Sequence, residues 1–106
     1  MDKDTDRIIE EYKERLVSLG IVPERILVFG SYANGQADEG SDLDLLVVSL
    51  QFEGMDLWER MSLLGRARSG MMRPMDILGI TPAEAERPDL NSFIRREVLE
   101  RGFRVA

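Results

Sequence analysis

The sequence predicts an α/β (α+β) domain, in which helices alternate with short strands. Three observations carry this. Apolar residues recur at helical spacing between Ile8 and Leu19. Two compact apolar runs, Ile26-Leu27-Val28-Phe29 and Leu45-Leu46-Val47-Val48, bracket a polar segment punctuated by glycine, as strands do. A second helical stretch then leads to a third strand-like run, Met75 to Ile80. A length of 106 residues suits one domain, taken as 1–106. The chain shows no internal repeat, low-complexity tract or dividing linker.

In the first helix Thr5 is expected as the cap, with Asp6 in the first turn. Ile8, Tyr12, Leu16 and Leu19 form its apolar stripe, with Ile9 beside them, and Gly20 stops it. Ile21-Val22-Pro23 connects to the first strand, 25–29, whose continuous apolar character suits a buried, central position. Gly30 breaks that strand. Residues 31–34 suit a short helical turn ended by Gly35, and residues 36–41 read as a loop. In the second strand, 42–49, alternation puts Asp42, Asp44, Leu46 and Val48 on one face; Leu43, Leu45 and Val47 take the other.

After a turn over 51–54, Asp56 caps the second helix. Leu57, Met61, Leu64 and Arg68 follow helical spacing there, and Trp58 reads as a flank or rim contact. Gly70 stops the helix, and Met71-Met72 read as fillers of the core or an interface. In the third strand Pro74 favours an edge or an irregular start, Asp76 and Leu78 share one face, and Met75 and Ile77 share the other. Thr81-Pro82 with Glu84 has the chemistry of a capped helix start, and this turn ends before Pro88. Asn91 caps a last helix, with Ile94, Val98 and Leu99 inward and Gly102 at its end. Phe103-Arg104-Val105 suits a terminal strand.

Composition narrows the chemistry. There is no cysteine, which removes disulfides and thiolate chemistry, and no histidine. Any metal is therefore expected to be held by oxygen, which favours Mg²⁺, Mn²⁺ or Ca²⁺ over zinc. The net charge is -6, with all the basic residues of 55–106 being arginine. An acidic chain is not expected to bind nucleic acid directly. No apolar run is long enough to cross a bilayer, and the charged start lacks a signal core, so a cytoplasmic protein is expected.

The chemistry is expected around residues 30–44. Asp42 and Asp44 repel one another and resist burial, and a divalent cation relieves both penalties. Mg²⁺ is commonly bound by one or two carboxylates together with substrate phosphates. Gly30 allows a phosphate close to the backbone, and Ser31 adds a hydroxyl beside a helical turn. The two stretches thus form the phosphate and metal halves of one nucleotide site. Asp76, the lone acid in an apolar strand, is the best third carboxylate for a two-metal centre. The plain alternatives are a solvated turn for Asp42 and Asp44, a Ser-capped turn for Gly30-Ser31, and an exposed edge acid for Asp76. For Arg66, Arg68 and Arg73 a solvated surface stands against a triphosphate contact or partner face.

Gly30-Ser31, ten intervening residues and Asp42-Leu43-Asp44 together resemble the signature of the DNA polymerase β-like nucleotidyltransferase superfamily. The match is closest to its minimal nucleotidyltransferases. The resemblance implies a small mixed β-sheet with helices packed mainly on one face. It implies that Asp42, Asp44 and Asp76 are metal-binding and catalytic, and that Gly30 and Ser31 grip the phosphates. Two Mg²⁺ ions, with Mn²⁺ as a substitute, would assist transfer of a nucleoside monophosphate from ATP or another nucleoside triphosphate to a hydroxyl. Members of this branch resemble antitoxins that attach AMP to a HEPN-domain toxin, a helical ribonuclease. A partner protein is thus the implied acceptor, and both homo- and hetero-oligomers stay open. Two alternatives stand: a catalytically idle module acting by occlusion, and a transferase modifying a small molecule such as an antibiotic. One position departs from the pattern: Asn34 stands where the family often has Arg.

Overall fold

A computed structural model describes residues 2–37 and 41–106. Of the segment expected as a loop, residues 38–40 lie outside the described residues. Four strands form one sheet: β1 (Arg25–Phe29), β2 (Leu43–Val48), β3 (Met75–Ile80) and β4 (Phe103–Arg104), in the order β3-β2-β1-β4. β2 runs antiparallel to β1 and parallel to β3, and β4 is antiparallel to β1. The sheet is therefore mixed, as expected. A parallel pair cannot be joined by a tight turn. Residues 49–74 make the crossover, and α2 (Leu57–Ala67) is its helix.

Alternation along the strands gives the sheet two apolar faces. One carries Ile26, Val28, Leu43, Leu45 and Val47, covered by Ile9, Tyr12 and Leu16 of α1 (Lys3–Ser18) and by Leu64 and Ala67 of α2. The other carries Leu27, Phe29, Leu46, Val48 and Ile80. It is covered by Ala85 of the short α3 (Pro82–Ala85) and by Val98 of a π-helix, Ile94–Glu100. The two long helices thus share one face. Tyr12 is fully buried, and its hydroxyl donates to the Leu64 carbonyl at 2.9 Å, tying α1 to α2.

Several local expectations need correction. Asp2, not Thr5, caps α1: its carboxylate accepts from the Thr5 N–H at 2.7 Å. Its charge also suits the helix N-terminus. Thr5 is instead buried in the first turn. In α2 the spacing correctly places Leu64 inside, but Leu57 and Trp58 are 68% and 77% exposed and Met61 is half exposed. The sheet face beneath α2 is already filled by Leu64, Ala67 and α1, leaving the N-terminal turn of α2 overhanging β3. Met71 packs on the core but Met72 is 96% exposed. The last helix is a π-helix, ended by hydrogen bonds from Arg101 N–H to Arg96 and from Gly102 N–H to Val98. Pro74 does stand at the start of an edge strand, and the capping boxes at Asp56 and Thr81 form as read. Among the described residues, no helix is long and apolar enough to cross a membrane.

Candidate active site

β1 delivers the chain into a short 3-10 turn, Gly30–Tyr32. Gly30 has φ +71°, a left-handed conformation in which a side chain is strained. A Cβ built on it would also overlap the Asp44 carboxylate. The reason lies in the pairing: Phe29 stands opposite Asp44 on β2, so the residue after Phe29 passes beside that side chain. Glycine here opens space next to an acid. The turn closes on itself, the N–H groups of Ala33 and Asn34 both donating to the Gly30 carbonyl, at 3.1 and 3.0 Å.

The parallel register sets Asp44 directly beside Asp76. Neighbouring strands lie about 4.8 Å apart, so register partners on one face are adjacent. Their face continues through Leu46 and Leu78, and the two acids stand where the covering elements leave it open. Asp42 precedes β2 and is exposed, and Ser31 is half-buried in the turn. Burial pushes the Asp44 carboxyl above the usual carboxylate range, and the charges of Asp76 and Asp42 push it further. The charges of Asp76 and Asp42 are thus both felt at Asp44.

A cavity of about 450 Å³ opens there, lined by Phe29, Gly30, Asp44 and Asp76 together with Met61, Leu78, Phe93 and Glu97. Its size suits a nucleotide. Ser31 and Asp42 are not among its lining residues. Phe93, half exposed, meets Phe29 edge to face with centroids 6.0 Å apart. Phe93 and Glu97 were missed by sequence reasoning. Their signal was a four-residue spacing on the flank of the inward stripe Ile94, Val98 and Leu99.

The arginines separate clearly. Arg73 stacks over Tyr32 of the turn, 5.2 Å from its centroid, and donates to the Tyr32 hydroxyl. Arg68 donates to the Arg73 carbonyl at 3.3 Å, while Arg66 is exposed. A fourth arginine, Arg101, donates to the Asn34 side chain at 3.4 Å and to Glu97.

The donor set fits a hard divalent cation: carboxylates only, one held above its ordinary pKa by burial and then by like charge, beside a glycine that leaves room. Among the described residues no group of three or more acids is placed to hold a metal ion, so at most two carboxylates converge at one point. An open site of one or two carboxylates is what Mg²⁺ uses when phosphates complete its shell.

Known proteins share the fold and the family. No curated protein is significantly similar in sequence. Solved structures do share the fold. A provisionally assigned nucleotidyltransferase from Sulfolobus solfataricus is 20% identical, with TM-score 0.66 over 93% of this chain and 77% of that one. A toxin–antitoxin structure with AMP-PNP is 19% identical, with TM-score 0.58 over 89% of this chain and 72% of its own. A mutant of the toxin–antitoxin pair MntA–HpeT is 16% identical, with TM-score 0.61 over 95% and 72%. At these identities the likeness is one of fold. The model of the nucleotidyltransferase domain matches residues 7–103, nearly the whole chain, and the chain belongs to that family.

Proposed function

We propose that residues 1–106 form a single domain that transfers a nucleoside monophosphate, AMP from ATP, to a hydroxyl of a partner protein. The observation that carries the reading is the pairing of Asp44 with Asp76 on adjacent parallel strands, beside a glycine whose missing side chain opens the cavity. Asp42, Asp44 and Asp76 would hold two Mg²⁺ ions, or Mn²⁺ in their place. When bound, such ions neutralise phosphate charge and acidify the attacking hydroxyl.

The chain's own groups do the rest. Gly30 lets the triphosphate approach the backbone, and the Ser31 hydroxyl donates to a phosphate oxygen. Asp76, on the exposed edge strand, takes the acceptor's proton. The acceptor oxygen forms its bond to the α-phosphorus in line. The bond from that phosphorus to the bridging oxygen breaks, and pyrophosphate leaves.

A protein acceptor is supported by the surface around the site. Met61 lines the cavity, and Leu57 and Trp58 extend an exposed apolar patch from it along α2. Contiguous exposed apolar surface of this kind marks interaction sites. Within the family, the resemblance to minimal nucleotidyltransferases and the shared fold of toxin–antitoxin structures support a cytoplasmic antitoxin whose partner is a HEPN-domain toxin. The same patch favours a second reading, in which the domain neutralises its partner by covering it.

The test is incubation with labelled ATP, Mg²⁺ and the product of the adjacent gene. Transfer predicts label on that protein, lost in Asp42→Asn and Asp44→Asn. Equal neutralisation by both variants without any label would leave occlusion standing and remove the enzymatic reading.

A further inference from the structure

A triphosphate placed against Asp42, Asp44 and Asp76 needs positive charge on the opposite, loop side. The loop has none of its own, because Asn34 occupies the position where the related motif often carries Arg. An arginine nevertheless stands there. Arg101, just past the π-helix, donates through Nη2 to Asn34 Oδ1 at 3.4 Å. Through Nη1 it donates to both oxygens of Glu97, at 3.3 and 3.2 Å. Asn34 belongs to the turn that closes on Gly30, and Glu97 lines the cavity with Gly30, Asp44 and Asp76. We propose that Arg101 binds the nucleotide's phosphates, supplying from the C-terminal helix the guanidinium that the loop lacks.

The backbone explains how it gets there. Gly102 follows Arg101 and donates to the Val98 carbonyl at 3.0 Å. A Cβ on Gly102 would overlap the carbonyl oxygens of both Val98 and Val28. Only glycine lets the helix end seat this closely on β1, two residues before Gly30. Phe93, Glu97 and Arg101 are spaced by four, and the wide π turn keeps such residues near one face. Phe93 and Glu97 line the cavity, and Arg101, outside the lining itself, reaches its rim through Glu97 and Asn34.

The guanidinium is also available. Its side chain is 59% exposed, and its bonds to Asn34 and Glu97 are long. Exposed pairs of this kind stabilise little, so little is lost when a phosphate displaces them. A phosphate offers the fork of Arg stronger, charge-assisted bonds. Arg73, the other arginine at the turn, is engaged by Tyr32.

This assignment rests on the nucleotidyltransferase reading, and calorimetric titration separates the two. The probes are ATP and inorganic tripolyphosphate, each with Mg²⁺. Arg101→Ala should bind both about tenfold or more weakly, with unliganded melting unchanged. Adding Asn34→Arg to Arg101→Ala should recover most of the loss. If the wild type binds both probes and Arg101→Ala binds them equally well, the role of Arg101 is overturned and the nucleotidyltransferase reading stands. A double variant that melts like wild type yet recovers nothing also overturns it. A wild type that binds neither probe overturns both.

Discussion

Neutralising Asp44 should make the metal-free protein more stable while removing its chemistry. The carboxyl is pushed up from its ordinary 3.8 by burial first and then by Asp76 and Asp42. Its ionised form is thus disfavoured in the folded chain. Asp76 is its register partner. Two unit charges about 5 Å apart repel by roughly 0.8 kcal/mol in water and roughly 3 kcal/mol at an effective dielectric of 20. Asp76 is exposed and Asp44 half-buried, so screening holds the value near the lower end, about 1 kcal/mol.

The sign follows from linkage. The folded state binds the proton more tightly than the unfolded state, so stability falls as pH rises from 3.8 through the raised folded value. Below that window the wild type and Asp44→Asn should melt alike. At pH 7 without divalent cation Asp44→Asn should melt higher, by about 4–8 °C for 1 kcal/mol in a domain of this size. Added Mg²⁺ should raise the wild type's melting temperature and leave that of Asp44→Asn nearly unmoved, because ligands stabilise only the state that binds them. The assay is thermal melting followed by circular dichroism from pH 3 to 8, with chelator or Mg²⁺. A variant that melts lower than wild type at pH 7, or a difference independent of pH, would refute the argument that these acids strain one another.

Gly30→Ala should destabilise by about 1–3 kcal/mol, through its left-handed backbone and the overlap with Asp44, and should abolish triphosphate binding; melting and titration calorimetry check both. Tyr12→Phe removes the hydroxyl bond to the Leu64 carbonyl and should cost about 1 kcal/mol, read as a lower urea midpoint with unchanged slope. Burial alone would raise the Glu84 carboxyl, but the hydrogen bonds from Arg60 and the Thr81 N–H prevail and hold it below 4.5. Its stabilisation is therefore present above pH 4.5 and lost as pH falls through the depressed value. Glu84→Gln should lower stability by about 1 kcal/mol at pH 7 and not at pH 2–3, measured by melting the two proteins in parallel.

The parts of this fold that were legible in sequence are those set by a local rule. Pro74 without an N–H belongs on an edge, and β3 is one. Thr81 with Glu84 three residues on makes a capping box wherever a helix follows, and it forms. Alternation put Asp44 with Leu46 and Asp76 with Leu78, and both pairs do share the face opposite Leu43 and Ile77. The failures occur where two local rules compete or where a third body decides. Asp2 and Thr5 are both good caps, and only the packing that buries Thr5 chooses between them. Leu57 and Met61 satisfy the periodicity of a buried stripe with Leu64, but α1 already covers the sheet beside α2, so only Leu64 is buried and the N-terminal part of the stripe faces outward. Seven residues are too few to distinguish a π-helix from an α-helix by spacing.

The site divides along the same line. Gly30, Asp44 and Asp76, which the structure brings to one cavity, were legible as candidates because each residue type is unusual at a strand end, and a strand end is readable. Arg101 could not, because nothing in residues 30–35 states that a guanidinium is needed there, or that one 67 positions later will reach Asn34. Asn34 stands where the related motif often carries Arg. In three dimensions Gly102, by having no side chain, seats the end of the last helix on β1, and Arg101 beside it hydrogen-bonds Asn34 of that turn. The site itself requires only that the charge stand at that point in space.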